Sequence, residues 1–366
     1  MAQTLYPLRL RPVYKNYLWG GDRFARLLGR ELAPGIYAES WEVSDRPEGM
    51  SVVANGAFAG RTLAELGDLL GEALTPVRTP AGRFPLLIKL IDARQRTSLQ
   101  VHPNEQGVAR AAGAARPARI DRSAAERLAS AEAKTECWVA LPGSEGGVYA
   151  GLRPDVERAA FEAALAAGDA ERWLNWQRLT AGDALLIPGG CLHAIDAGCF
   201  LLEVQQNSDT TYRVLDWNRR GADGQLRELH LEAAWAVIDW RAPAPHPAEP
   251  QLLRDEPGGR LWQLLDEAAF ELQVWELFVS EEDTRFPLDD ETGGRPAVLY
   301  VARGAAVIAS GGREERLTTG CSCLLPAALG AYRLAPAAAP ARVFVARTGR
   351  VARSSRVSNQ THTVWR

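Results

Sequence analysis

Residues 178–190 read RLTAGDALLIPGG, and residues 316–328 read RLTTGCSCLLPAA. Aligned without a gap, the two stretches share Arg, Leu, Thr, Gly, Leu and Pro, with an apolar residue before each Pro. A Gly-marked turn, an apolar run and a Pro-marked turn describe a short buried strand between two corners. Upstream of each copy lies a strand pattern ending in an aromatic-Val-Ala triplet, Trp138-Val139-Ala140 and Tyr300-Val301-Ala302. Repeated short strands of this kind predict a mainly β chain built from two jelly-roll modules. FPLLIKLIDA (84–93) reads as a buried strand, and residues 37–60 alternate apolar and polar around turns. Helices are expected over 62–73, in parts of 104–133, over 155–176 with Asp155 as N-cap and a break near Gly168, and over 229–240, with His230 capping that last helix. Pro and charge crowd residues 241–258, which predicts a linker. The expected division is a functional domain with helical insertions over 1–245, a linker over 246–260, a second module over 261–348 and an extended tail over 349–366, whose Trp365 is a candidate for docking.

Composition narrows the function classes. The chain has 366 residues, 46% hydrophobic and 24% charged, with a formal net charge of −3. That balance argues against a nucleic-acid or membrane-surface partner. No run of roughly 18 apolar residues is present, which excludes a membrane-spanning helix. The opening MAQTLYPLRLRPVYKNYLWG lacks a charged head before an apolar run, so no secretory signal is expected. Five loosely spaced Cys read as reduced thiols, which points to the cytoplasm. Only Lys15, Lys89 and Lys134 break an otherwise all-Arg set of basic residues, so each marks a candidate site for a compact ammonium.

The two copies differ where chemistry could reside. The position after IPGGCL is His193 in the first copy and Ala331 in the second; upstream, Glu136 aligns with Val298. The first module therefore carries a carboxylate and an imidazole where the second, expected to be metal-free, has apolar groups. In SLQVHP, Gln100 and His102 are two apart and project from one face of a strand that Pro103 ends. Gln100, His102, Glu136 and His193 suit one borderline divalent ion, Zn²⁺ first, with another divalent metal as the alternative. The P-x-G-x-x-H spacing from Pro188 to His193 resembles the second half of a cupin motif, so both modules are read as cupin-like.

LWGG, ESWEVSD, SVVANG, FPLLIKLIDA, SLQVHPNE, KTECWV, GDALLIPGGCLHAI, LLEVQQNSDTTYRVLDWNR and GQLRELH occur in this order between residues 5 and 240. Together they resemble type I mannose-6-phosphate isomerase (phosphomannose isomerase) in its short bacterial form. The resemblance implies a zinc-dependent interconversion of mannose 6-phosphate and fructose 6-phosphate through a cis-enediolate, with no partner beyond the sugar phosphate and a monomeric or homodimeric state. It implies that Gln100, His102, Glu136 and His193 bind the metal. It also places Arg213 in the active site with Glu203 and Asp209 nearby, and Lys89, Ser98 and Lys134 around the substrate, chiefly at its phosphate. The base is left among Glu203, Asp209 and a metal-bound hydroxide. Ile195 stands where long eukaryotic-type members carry Tyr, and a Lys beyond the Arg of those forms is missing. Another aldose phosphate as substrate, an iron cupin oxygenase and a non-catalytic sugar-phosphate sensor are the competing readings.

Overall fold

Along Leu86–Ala93, Leu86, Ile88 and Leu90 join one apolar cluster while Ile91 and Ala93 join another, the alternation of a strand buried on both faces. A computed structural model, describing residues 4–113, 122–221, 224–279, 287–337 and 340–350, builds two antiparallel double-sheet sandwiches on this pattern. The large sheet of the first runs in the order Ala184–Ile187, Glu136–Ala140, Cys199–Gln206, Leu86–Ala93, Glu39–Val43, Val13–Lys15. Facing it is a smaller sheet, Tyr212–Leu215, Leu99–Val101, His193–Ile195, Gly147–Leu152, Leu174–Arg178. The second sandwich pairs six strands between Gln251 and Thr348 with four between Leu288 and Pro336.

The large sheets of the two sandwiches pack back to back. Cys137, Val139, Phe200, Leu202 and Val204 of the first share one buried cluster with Phe270, Leu272, Val274, Tyr300 and Phe344 of the second. Each such side chain contributes about 1.5–3 kcal/mol of burial, so this seam is a core in its own right. Arg30 clips it at one edge, reaching Glu42 at 2.9 Å and the Gly320 carbonyl at 2.6 Å. The opposite faces of the first module's large-sheet strands, bearing Glu136, Trp138, Lys89 and Glu203, look into the first sandwich.

The repeat is present in three dimensions, with one correction. Ile187 pairs with Glu136, and its counterpart Leu325 pairs with Ala297. Ala297, not Val298, is therefore the structural equivalent of Glu136; a one-residue slip turns a side chain to the other face of a strand. His193 and Ala331 do correspond, each opening a strand. The stretch expected as a linker contains a strand. Gln251–Glu256 pairs with Gly259–Asp266 across a Pro257-Gly258 corner, and Ala248 donates its N–H to the Ala184 carbonyl at 2.7 Å. Its charges belong to an exposed edge strand, where they block further pairing.

The helices are shorter than the periodicity suggests. Leu63–Leu70 forms behind a Thr62–Glu65 capping box, Leu231–Val237 covers the middle of the expected 229–240, and Glu105–Gly113 and Arg122–Ala129 fall within 104–133. Over 155–176 the helix is only Arg158–Ala166, with Glu157 at the N-cap position making no side-chain cap bond; Asp155 sits at φ 62, outside any cap, and Leu174–Arg178 is a strand. Residues 351–366, with Trp365, lie outside the described residues. No described helix is long and apolar enough to cross a membrane.

Candidate active site

Strand register assembles the site. Across the large sheet Trp41, Lys89, Glu203 and Trp138 lie directly opposite one another in a single row. The next row holds Leu87, Gln205, Glu136 and Ile187. On the facing sheet Gln100 is flanked by His193 and Arg213. His102 follows the Leu99–Val101 strand, and the Pro-Gly-Gly corner fixes its loop. A Cβ at Gly189 would lie 2.7 Å from the Asn104 backbone, and Gly190, at φ 92, donates its N–H to the His102 carbonyl at 2.6 Å. Only glycines allow that approach, so the turn that starts the His193 strand also seats His102.

His102, Glu136 and His193 are buried and bring one ligand atom each to within 4.8 Å of one another. Both imidazoles are oriented from behind: His102 Nδ1 donates to the Thr210 carbonyl and His193 Nδ1 to the Cys191 carbonyl, each at 2.8 Å. Those bonds leave each Nε2 as the lone-pair side, 3.5 and 3.4 Å from the Glu136 carboxylate. Burial, with the Lys134 ammonium alongside, pushes His102 down to about 4, and burial lowers His193 as well. Both rings are thus neutral and able to act as ligands. Burial works against the Glu136 carboxylate, but Lys134 and the two imidazoles outweigh it and hold the group well below its usual range. Glu136 Oε2 is ion-paired to the Lys134 ammonium at 2.8 Å, and buried Oε1 accepts no hydrogen bond. A buried anionic carboxylate with one oxygen paired to Lys134 and the other without a donor, facing two imidazole lone pairs, fits a divalent cation. The Gln100 amide closes the set, with Nε2 3.3 Å from His193 Nε2; turning the amide by 180° presents its oxygen there.

The lysines are not free. Lys134 Nζ is 2.8 Å from Glu136 Oε2 and 3.0 Å from His102 Nε2. Lys89 Nζ is 3.2 Å from Glu203 and 3.6 Å from Glu39, and lies over the Trp41 ring at 5.3 Å. Its burial favours the neutral amine, but the Glu39 and Glu203 carboxylates outweigh it and hold the ammonium charged. Glu203 also accepts the Trp138 indole N–H at 3.0 Å on Oε2, while its buried Oε1 is the oxygen that faces Lys89. Ser98 is buried and donates to the Gln100 amide oxygen at 3.2 Å.

Arg213 has no carboxylate partner among the described residues. Its Nη1 donates to the Glu228 carbonyl at 2.8 Å and its buried Nε finds no acceptor, while burial and the neighbouring Arg227 lower it to about 10. His230 is structural in a way not foreseen: it caps nothing with its side chain, but its Nδ1 accepts the Arg213 backbone N–H at 3.1 Å. Asp209 is exposed at the mouth, where it acts electrostatically on Tyr17 and Lys89. Glu39, Trp41, Trp138 and Tyr17 are site residues that the sequence reading did not assign. Glu39 and Trp41 alternate within ESWEV, a signal that places them on one face but not opposite Lys89.

Residues 7–141 match the family model for the catalytic domain of type I phosphomannose isomerase. The mannose-6-phosphate isomerase of Streptococcus mutans is 34% identical over 242 residues, 65% of this chain and 69% of the relative. The chain belongs to the type I phosphomannose isomerase family. Mannose-6-phosphate isomerase ManA of Bacillus subtilis is likewise 34% identical over 240 residues, covering 64% and 69% of the two chains. Beyond those spans the likeness is structural: the crystal structure of a Bacillus subtilis mannose 6-phosphate isomerase superposes with a TM-score of 0.78 at 26% identity, covering 93% of this chain and 99% of that one. Type I phosphomannose isomerases are aldose–ketose isomerases, and this chain has the fold of that enzyme class from end to end of its two sandwiches.

Proposed function

We propose that the protein interconverts mannose 6-phosphate and fructose 6-phosphate through a cis-enediolate, with one zinc ion held by Gln100, His102, Glu136 and His193. The observation that carries this reading is the buried Glu136 carboxylate gathered with two pre-oriented imidazoles, all three ligand atoms within 4.8 Å of one another. A divalent ion in that set supplies Lewis-acid stabilisation of negative charge developing on neighbouring substrate oxygens.

The remaining steps belong to side chains. Moving a proton between C1 and C2 requires a base that is ionised, shielded from water and within reach of both carbons. Glu203 fits better than Asp209. It is buried, with Oε1 ion-paired to Lys89 and Oε2 oriented by the Trp138 indole, whereas Asp209 is solvated. Lys89 ion-pairs with Glu203, and Ser98 hydrogen-bonds the Gln100 amide. Arg213, opposite Gln100 and lacking a carboxylate of its own, directs its guanidinium to substrate oxygens. Lys134, on the strand side of the site, neutralises Glu136. The test is a coupled assay of fructose 6-phosphate formation from mannose 6-phosphate, run beside a panel of other aldose phosphates. Turnover of mannose 6-phosphate well above the others supports the reading, and preference for a different aldose phosphate reassigns the substrate.

A further inference from the structure

Charge does not balance evenly around the site. On the large-sheet side the two buried lysines face carboxylates, Lys89 against Glu39 and Glu203, Lys134 against Glu136. On the opposite side Arg213, Arg219 and Arg227 gather about one buried carboxylate, Asp216. Arg219 takes that carboxylate in a direct ion pair and uses its other donors on the Asp216 and Arg96 carbonyls. Among the described residues, Arg227 reaches only Asp216 Oδ1, at 3.4 Å, and Arg213 bonds only a carbonyl. The nearby Glu228 is occupied by Arg127 at 2.8 Å. Three guanidiniums against one carboxylate leave about two positive charges, which a phosphate monoester of charge about −1.5 to −2 would balance.

The backbone is strained to hold Asp216 there. Trp217 and Asn218 sit at φ 54 and 56, with the Arg219 N–H closing the turn onto the Asp216 carbonyl at 3.0 Å. Such conformations are costly for non-glycine residues and persist where surrounding contacts demand them; here the Trp217 indole is anchored on the Thr97 carbonyl at 2.7 Å. Arg213 lies opposite Gln100, so the cluster begins beside the proposed ligands, and Arg227 is close enough to act electrostatically on Tyr17 at the mouth. A hexose phosphate placed with its C1–C2 end at those ligand residues would turn its C6 phosphate toward this cluster.

We propose that Arg227, held by Asp216, binds the substrate phosphate and so sets the preference for a 6-phosphorylated sugar; this rests on the isomerase reading above. Its planar fork suits a phosphate better than an ammonium would. The test compares wild type, Arg227→Gln and Arg227→Lys in the full-length protein, by steady-state kinetics with mannose 6-phosphate and by competition and calorimetry with inorganic phosphate. Arg227→Gln should raise KM and weaken phosphate inhibition by about 10- to 100-fold with kcat little changed, the loss of a charged hydrogen bond shared by ground and transition states. Arg227→Lys should fall between. Unchanged KM and phosphate inhibition in Arg227→Gln overturn the proposal, as does a lowered melting temperature with phosphate affinity intact. If wild type does not turn over mannose 6-phosphate, the isomerase reading fails by itself. Calorimetry then still decides this site: phosphate binding by wild type and its loss in Arg227→Gln support it, and equal binding overturns it.

Discussion

Lys89→Met is the substitution that best separates a structural ion cluster from a substrate contact. Lys89 Nζ lies 3.2 Å from Glu203 and 3.6 Å from Glu39 with its side chain buried, and the Trp41 ring covers one side. Methionine keeps the stem and deletes the charge, leaving two carboxylates with no cation between them. Breaking a buried pair by removing one partner costs about 3–5 kcal/mol, because the other charge remains buried and unpaired. With a urea slope of about 3 kcal/mol/M, the first unfolding transition should move down by about 1–1.7 M. The double variant Lys89→Met/Glu203→Gln should recover part of that loss, since it removes one stranded carboxylate, and a double-mutant cycle gives the coupling directly. Urea titration followed by tryptophan fluorescence is suited to this, because Trp41 and Trp138 flank the pair. An unchanged midpoint with a KM raised tenfold or more would refute the reasoning: Lys89 would then be a free phosphate ligand, as the family resemblance implies.

Arg213→Lys should lower kcat by about 10²–10³, by analogy with loss of one oxyanion donor, while metal content and melting temperature stay near wild type; near-normal turnover would make Arg213 a brace for the Glu228 carbonyl. The acid limb of stability should depend on Asp196, whose carboxyl is held below its usual range because Arg96, at 2.8 Å, and the Ala197 N–H outweigh its burial. A lowered native value stabilises the fold above the unfolded value near 3.8 and is lost as pH falls through the native one. Asp196→Asn should therefore flatten the decline in melting temperature below about pH 4, and an identical acid profile would refute this.

The parts of this account legible in sequence were those encoded locally. A period of two placed Gln100 and His102 on one face, and the P-x-G-x-x-H spacing singled out His193 because a glycine corner must precede it. The repeat contrast located the module that carries the buried His102–Glu136–His193 group, although the slip from Ala297 to Val298 shows that a shared triplet does not set register. Residues 251–256 read as linker because an exposed edge strand and a solvated spacer favour the same charged residues. Lys89 was visible as a conspicuous lysine, but its partners Glu39 and Glu203 come from strands far apart in the chain. Composition therefore suggested a free cation where the sheet builds a neutralised one. The Asp216 arginine cluster was hidden for the same reason: its charge excess exists only after the turn at Trp217-Asn218 has folded.

The central claim, that His102, Glu136 and His193 hold a divalent ion on which isomerisation depends, is tested most directly by measuring metal content and turnover on the same samples. Purified protein should contain about one divalent ion per chain, as a set of this kind binds a single ion. Chelation should remove that ion and the turnover of mannose 6-phosphate together, zinc should restore both, and His193→Ala should show neither. Undiminished turnover in protein shown by elemental analysis to be metal-free would contradict the account.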